Sequence, residues 1–198
     1  MKRIVLILTL IVCLALAGAD GAAVGEPGEG AGKPVVLMET SMGEIMIQLE
    51  PGLAPITVKN FLDYVESGFY DNTIFHRVVK GFVIQGGAYS AALKRKPAGT
   101  PIRNEANNGL KNRRGTIAMA RGVAVDSATA EFFINVVDSP LLNHQDDSIQ
   151  GYGYAVFGRV IKGMKVVDRI QRVATGKRKG MRMVPRVPVV IRSVRMIR

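Results

Sequence analysis

The sequence has no tryptophan, two histidines and a single cysteine, Cys13, among its 198 residues. A disulfide framework is therefore excluded, and no Cys/His cluster has metal-ligand spacing. No Gly-rich loop runs into Lys-Ser/Thr, so a phosphate-cradling site is missing as well. No serine sits in a nucleophile elbow, which leaves hydrolase chemistry without an anchor. Acidic side chains are in deficit: 16 Asp and Glu face 27 Lys and Arg, a formal charge of +11. What is present is enough apolar material, 47% of residues, for one domain with a buried core. The glycines follow no Gly-X-Y period, so neither a collagen-like nor a disordered chain fits.

Lys2 and Arg3 precede an almost wholly apolar run from Ile4 to Leu16, which closes in Ala15-Leu16-Ala17 or Ala17-Gly18-Ala19. Both triplets have the small-x-small pattern of a signal-peptidase site, so residues 1–19 are expected to be an export signal. A retained anchor is the rival reading, but about 13 apolar residues fall short of the roughly 20 that span hydrocarbon. Acylation at Cys13 is a second alternative, and Val12 before it is bulkier than such a site prefers. Cleavage would remove the only thiol, which suits an oxidising compartment. Residues 20–33, DGAAVGEPGEGAGK, have almost nothing able to pack and read as a flexible tether. The folded domain is expected over 34–198.

Within that domain, 35–40 and 44–49 are short β-compatible runs around a turn at Ser41-Met42-Gly43, hence a hairpin. Pro55, the spacing of Val58, Phe61, Leu62 and Val65, and the stop at Gly68 give an amphipathic helix. Further strands are expected at 74–79, 82–85, 116–120, 132–137, 154–160 and 187–194. A second helix is expected at 163–173, with Val166, Val167, Ile170 and Val173 inward. Gly86 to Arg114 reads as a long irregular connection of the kind that usually carries function. Seven or eight strands with two widely separated helices point to a mainly β fold, a closed antiparallel barrel capped by helices.

The distinctive segment is 75–87, FHRVVKGFVIQGG, because Arg77 and Gln85 interrupt otherwise apolar strands. For an isolated pair, a salt-bridged rim arginine and a solvated glutamine would be the default. Three more segments shift that weighting: GTIAMAR at 115–121, TAEFFIN at 129–135 and GYGYAVFGRV at 151–160. In this order and spacing the four motifs resemble the cyclophilin family of peptidyl-prolyl cis-trans isomerases, from Val35 to the C-terminus. SGFYDNTIFHR and NEANNGLKNRRGTIAMAR look most like the exported bacterial branch.

The resemblance implies a closed eight-stranded antiparallel β-barrel with two capping helices and a groove on its outer face. It also implies a periplasmic enzyme that accelerates folding of exported proteins. The family's catalytic arginine falls on Arg77, with Phe82, Val83 and Gln85 beside it. Substrate-backbone contacts fall on Ala120 and Arg121, and the proline pocket continues through Phe133, Leu142 and Tyr154. Leu141 and Tyr154 stand where the best-known eukaryotic relatives have Trp and His, which implies weak binding of cyclosporin. Glu131 replaces the usual Gln.

The chemistry asks for the same residue types. The Xaa-Pro amide resists rotation with a barrier of about 18–20 kcal/mol because its nitrogen lone pair is delocalised. A catalyst must bind the twisted amide better than either planar isomer, with a greasy slot for the ring and a donor where the lone pair localises. Phe82, Val83, Phe133 and Leu142 meet the first need. Arg77 meets the second, since its planar fork stays charged, with Gln85 holding it. No proton moves, so His76 and His144 have no acid/base role and a rate nearly flat around neutral pH is expected.

Glu131 could draw Arg77 into an ion pair that blunts it, so Glu131→Gln is expected to raise activity on uncharged peptides. The basic tail, from Lys177 and Arg178 to Arg198, lacks interleaved aromatics and reads as a solvated surface, not a nucleic-acid site. Attraction to anionic envelope surfaces would be its only membrane contact beyond the signal peptide. No cofactor or metal is implied, and a single barrel is compatible with a monomer. The competing function is a non-catalytic or weakly catalytic chaperone or binding module for proline-containing segments.

Overall fold

Val35–Thr40 (β1) and Gly43–Leu49 (β2) fold back on each other, with Val35 opposite Gln48 and Thr40 opposite Gly43. The computed structural model describes residues 32–197, so the signal segment and nearly all of the tether lie outside the described residues. After β2 comes α1 (Pro55–Glu66), whose Thr57, Val58, Phe61 and Val65 are buried. Leu62, expected inside, is half-buried, and Gly68 takes the left-handed φ of 64° that lets the chain turn away.

The remaining strands are β3 (Thr73–Ile74), β4 (Arg77–Val79), β5 (Val83–Gly86), β6 (Thr116–Met119), β7 (Phe132–Asn135), β8 (Val156–Lys162), β9 (Thr175–Arg178), β10 (Met181–Pro185) and β11 (Val190–Met196). A second helix, α2 (Met164–Ile170), buries Val166, Val167 and Ile170, and stops three residues short of the expected end at Val173. Nine strands form one antiparallel sheet in the order β3-β11-β1-β2-β8-β6-β7-β5-β4. The fold is the mainly β, two-helix architecture expected, but nine strands replace the eight.

The extra strand comes from a break in the run expected at 74–79. Thr73, Ile74, Phe75 and His76 are all buried, and the break between them is marked by a change of pairing partner. The chain kinks at Phe75 and His76. Phe75 N–H donates to Val189 O at 3.0 Å, and β3 pairs with β11 while β4 pairs with β5. The two outermost strands of the sheet are therefore neighbours in sequence. Among the described residues no unbroken ladder closes the barrel; the kinked segment joins its two edges, helped by Ile74 N–H donating to Tyr89 O at 2.9 Å.

Alternation within the strands then sorts residues into two apolar clusters. Ile84, Ile117, Met119, Phe132, Ile134 and Phe157 face the main core under α1. Phe61 is central there, with ring centroids 5.1 Å from Tyr70 and Phe157 and 5.9 Å from Phe132. Val83, Ala118, Ala120, Phe133 and Val156 point the other way, and Phe82, Leu110, Leu142 and Tyr154 pack on them. That second cluster is the floor of the outer groove.

β9 and β10 form a separate two-stranded hairpin that sequence patterning did not separate from a solvated basic tail. Its turn is Lys179-Gly180, with φ of 48° and 80°, the backbone twist that a two-residue hairpin loop demands.

Candidate active site

The outer groove deepens into a cavity of about 150 Å³ lined by Arg77, Phe82, Val83, Gln85, Ala120, Arg121, Phe133, Leu142 and Tyr154. Nine of the ten site residues expected from the sequence therefore meet in one place. Strand register explains why. Arg77 on β4 lies directly opposite Gln85 on β5, and Gln85 opposite Phe133 on β7. Phe133 faces Ala118 on β6 and meets Tyr154 edge-on, with centroids 5.5 Å apart.

The cation at the mouth is held from behind. Arg77 Nη1 donates to Gln85 Oε1 at 3.2 Å, and Gln85 Nε2 donates to Glu131 Oε2 at 3.0 Å. Glu131 is the tenth expected residue and lies outside the pocket lining. It occupies a neighbouring cavity of about 160 Å³ with Arg95, Ser127 and Thr129, and Ala120 and Arg121 belong to both cavities.

The expected ion pair between Glu131 and Arg77 is absent among the described residues. Register puts Gln85 between the two, and the carboxylate is taken up by Arg95 Nη2 at 3.3 Å and His76 Nε2 at 3.5 Å. Burial pushes the Glu131 carboxyl up, but hydrogen bonds from His76 and Gln85 and the charges of His76 and Arg95 outweigh it, leaving the group below its ordinary range. His76 is itself 3% exposed, and its Nδ1 has no hydrogen-bond partner among the described residues.

Arg121 lines the pocket and is also held from outside it. Its Nε donates to Gly153 O at 3.0 Å, Nη1 to Val123 O at 3.1 Å and Nη2 to Ile149 O at 2.8 Å. With Nη1 also donating to Gly122 O at 3.3 Å, the guanidinium is committed to four loop carbonyls and braces the rim, while its carbon lies 5.2 Å from the Tyr154 ring centroid. Leu141 is 85% exposed and takes no part in the lining. His144 is likewise outside it, with Nδ1 3.0 Å from Tyr152 O.

Sequence reading missed the asparagines that hold this wall. Asn112 Nδ2 donates to Leu142 O at 2.9 Å, its N–H to Asn143 Oδ1 at 2.7 Å, and Asn104 Nδ2 reaches Gly153 O at 3.2 Å. These side chains belong to the long connection before β6 and fasten it to the segment that carries Leu142 and Tyr154. The available signal was four asparagines between 104 and 112 in a chain that is otherwise basic and apolar.

Comparison with known proteins bears on this pocket. The family described as cyclophilin type peptidyl-prolyl cis-trans isomerase matches residues 35–196. The chain belongs to that family. It is 57% identical over 161 residues to peptidyl-prolyl cis-trans isomerase B of Escherichia coli, covering 81% of this chain and 98% of that one. It is 51% identical over 163 residues to peptidyl-prolyl cis-trans isomerase A of Dickeya dadantii, covering 82% and 84%. A Cryptosporidium parvum cyclophilin solved in the presence of the dipeptide Ala-Pro superposes with a TM-score of 0.69 at 28% identity, over 83% of this chain and 99% of that one. The cyclophilin assignment makes the protein a peptidyl-prolyl cis-trans isomerase whose substrates are proline-containing polypeptides.

Proposed function

We propose that the 150 Å³ pocket takes the pyrrolidine ring and that Arg77 drives rotation about the Xaa-Pro amide. The observation that carries this reading is the Arg77 fork, held by Gln85 at 3.2 Å and bordering a slot of Phe82, Phe133 and Leu142. The Ala-Pro dipeptide in the Cryptosporidium parvum relative agrees with a small proline-sized site.

In the planar amide the nitrogen lone pair is shared with the carbonyl; on twisting it localises on nitrogen. A cation with two aligned N–H groups binds that localised pair and the proline carbonyl better than it binds either planar isomer, which lowers the barrier between them. Phe82, Val83 and Phe133 hold the ring while the acyl side turns. No bond to hydrogen breaks, so no acid or base is required and no cofactor enters the scheme.

The same reading includes export. Lys2, Arg3, the apolar run to Leu16 and the small residues after it support an enzyme delivered to the bacterial periplasm, where it assists folding of exported chains. Weak cyclosporin binding and a monomeric state belong to this proposal.

Its test is a protease-coupled or NMR-exchange assay on an Xaa-Pro peptide with wild type and Arg77→Ala. Activity lost in the variant with the fold intact supports the catalytic reading. An inactive wild type that still suppresses aggregation would replace it with a binding module.

A further inference from the structure

Two basic runs that are distant in sequence meet beside this pocket. One is the loop Leu93-Lys94-Arg95-Lys96; the other is the β9–β10 hairpin with Lys177, Arg178, Lys179 and Arg182. Lys179 Nζ donates to Ala92 O at 2.8 Å, across 87 positions of chain. Leu93 clamps the two together. It is held at φ 56° and buried against Ile74 and Val184 of β10. A left-handed leucine is strained, so burial of its side chain in that cluster is what maintains the loop. β10 in turn packs alongside β4, the strand that carries Arg77.

Lys94, Arg95, Lys177, Arg178, Lys179 and Arg182 are all exposed. Among the described residues the only acid paired with any of them is Glu131, through Arg95. Glu131 also holds Gln85 and His76, so it is already committed. The patch is continuous with the site, because Arg95 lines the side cavity that shares Ala120 and Arg121 with the proline pocket. Past Arg121 the sign changes: Asp146 and Asp147 are exposed in the loop whose Ile149 carbonyl Arg121 holds. A bound polypeptide would meet opposite charge on the two flanks of its proline.

Resting on the isomerase reading, we propose that this site selects proline-containing polypeptides bearing acidic side chains on one flank of the proline, the flank laid over the basic loop and hairpin. Peptide is favoured over nucleic acid, since the loop and hairpin carry no aromatic on which a base would stack and the patch runs directly into a peptide site. Steering by such a patch acts on capture and fades with salt.

The test uses one neutral Ala-Pro-Phe core extended by three Glu, three Ser or three Lys, on either the N-terminal or the C-terminal side. With wild type at low ionic strength, kcat/KM for one of the two acidic peptides should exceed that of its Ser counterpart by about tenfold, and the excess should vanish near 0.5 M salt. Combined Lys177→Glu, Arg178→Glu and Arg182→Glu should turn that preference toward the Lys peptide. Should this variant fail to fold, the wild-type salt series decides alone. Equal kcat/KM for Glu, Ser and Lys peptides overturns the inference. So does binding of an oligonucleotide or anionic vesicles with no acidic-peptide preference. Failure to isomerise even the Ser peptides would instead overturn the underlying function, so the two failures are distinct.

Discussion

Arg77 and Gln85 lie directly opposite each other on β4 and β5, and the guanidinium donates to the amide oxygen across 3.2 Å. Gln85 has its nitrogen engaged by Glu131, so its oxygen is the atom presented to Arg77. Arg77→Ala should lower kcat/KM by about 10²–10³-fold, the usual result of removing one aligned donor. Arg77→Lys should recover little, because an ammonium lacks the planar fork. Circular dichroism and Tm close to wild type are expected for both.

Gln85→Leu keeps side-chain volume while releasing Arg77 and leaving Glu131 with one donor fewer. A fall in kcat of about tenfold with KM little changed is expected, since the pocket walls stay in place. A rise in KM at constant kcat would assign Gln85 to substrate binding.

Glu131→Gln is expected to alter kcat/KM by less than about threefold, because an amide oxygen can still accept from Gln85. This replaces the gain in activity expected when Glu131 was thought to pair with Arg77. The effect should appear in stability. A carboxyl whose pKa is lowered by folding contributes stability above its unfolded value, about 4.3, and loses it as pH falls through the lower folded value. Urea unfolding of wild type and variant should therefore differ most near neutrality and converge in acid.

Glu105 caps α1 from a distant loop. Its carboxylate accepts from Ile56 N–H at 3.1 Å, Thr57 N–H at 2.8 Å and Thr57 Oγ1 at 2.7 Å, where Ala54 at the N-cap offers no side-chain acceptor. Glu105→Gln should cost about 1–3 kcal/mol in urea unfolding, with kcat/KM unchanged under native conditions.

Lys179 occupies a left-handed turn position that favours Asn. Lys179→Asn should raise Tm by relieving about 1 kcal/mol of backbone strain, while reducing the acidic-peptide preference. An unchanged or lower Tm would mean that the bond to Ala92 outweighs the turn.

Local pattern was enough to read the pocket. FHR, GFVIQGG and EFFI are strand segments whose apolar residues serve two faces, and the resemblance of these motifs to cyclophilins assigned most of the lining. The partners that hold Glu131 and Arg121 were not legible because each lies far away in sequence. Arg95 lies 36 positions from Glu131, and Ile149 lies 28 from Arg121. The kink at Phe75 and His76 was hidden because an apolar run does not reveal where it changes pairing partner. The β9–β10 hairpin was hidden because lysine and arginine mask strand alternation, and because its turn uses Lys-Gly where Asn-Gly would have signalled it.

β11 is inserted between β1 and β3, and this has a consequence for biogenesis. β1 is translated early, yet its second partner is made more than a hundred and fifty residues later, as Glu39 opposite Ser193 illustrates. A ribosome-bound chain halted before Val190 would leave β3 only its bridge to Ser90 and its bond to Tyr89, without the strand that ties it to β1. The enzyme that speeds other polypeptides through their slow isomerisations therefore cannot complete its own sheet until β11 has been made, because that strand supplies long-range pairing to both β1 and β3.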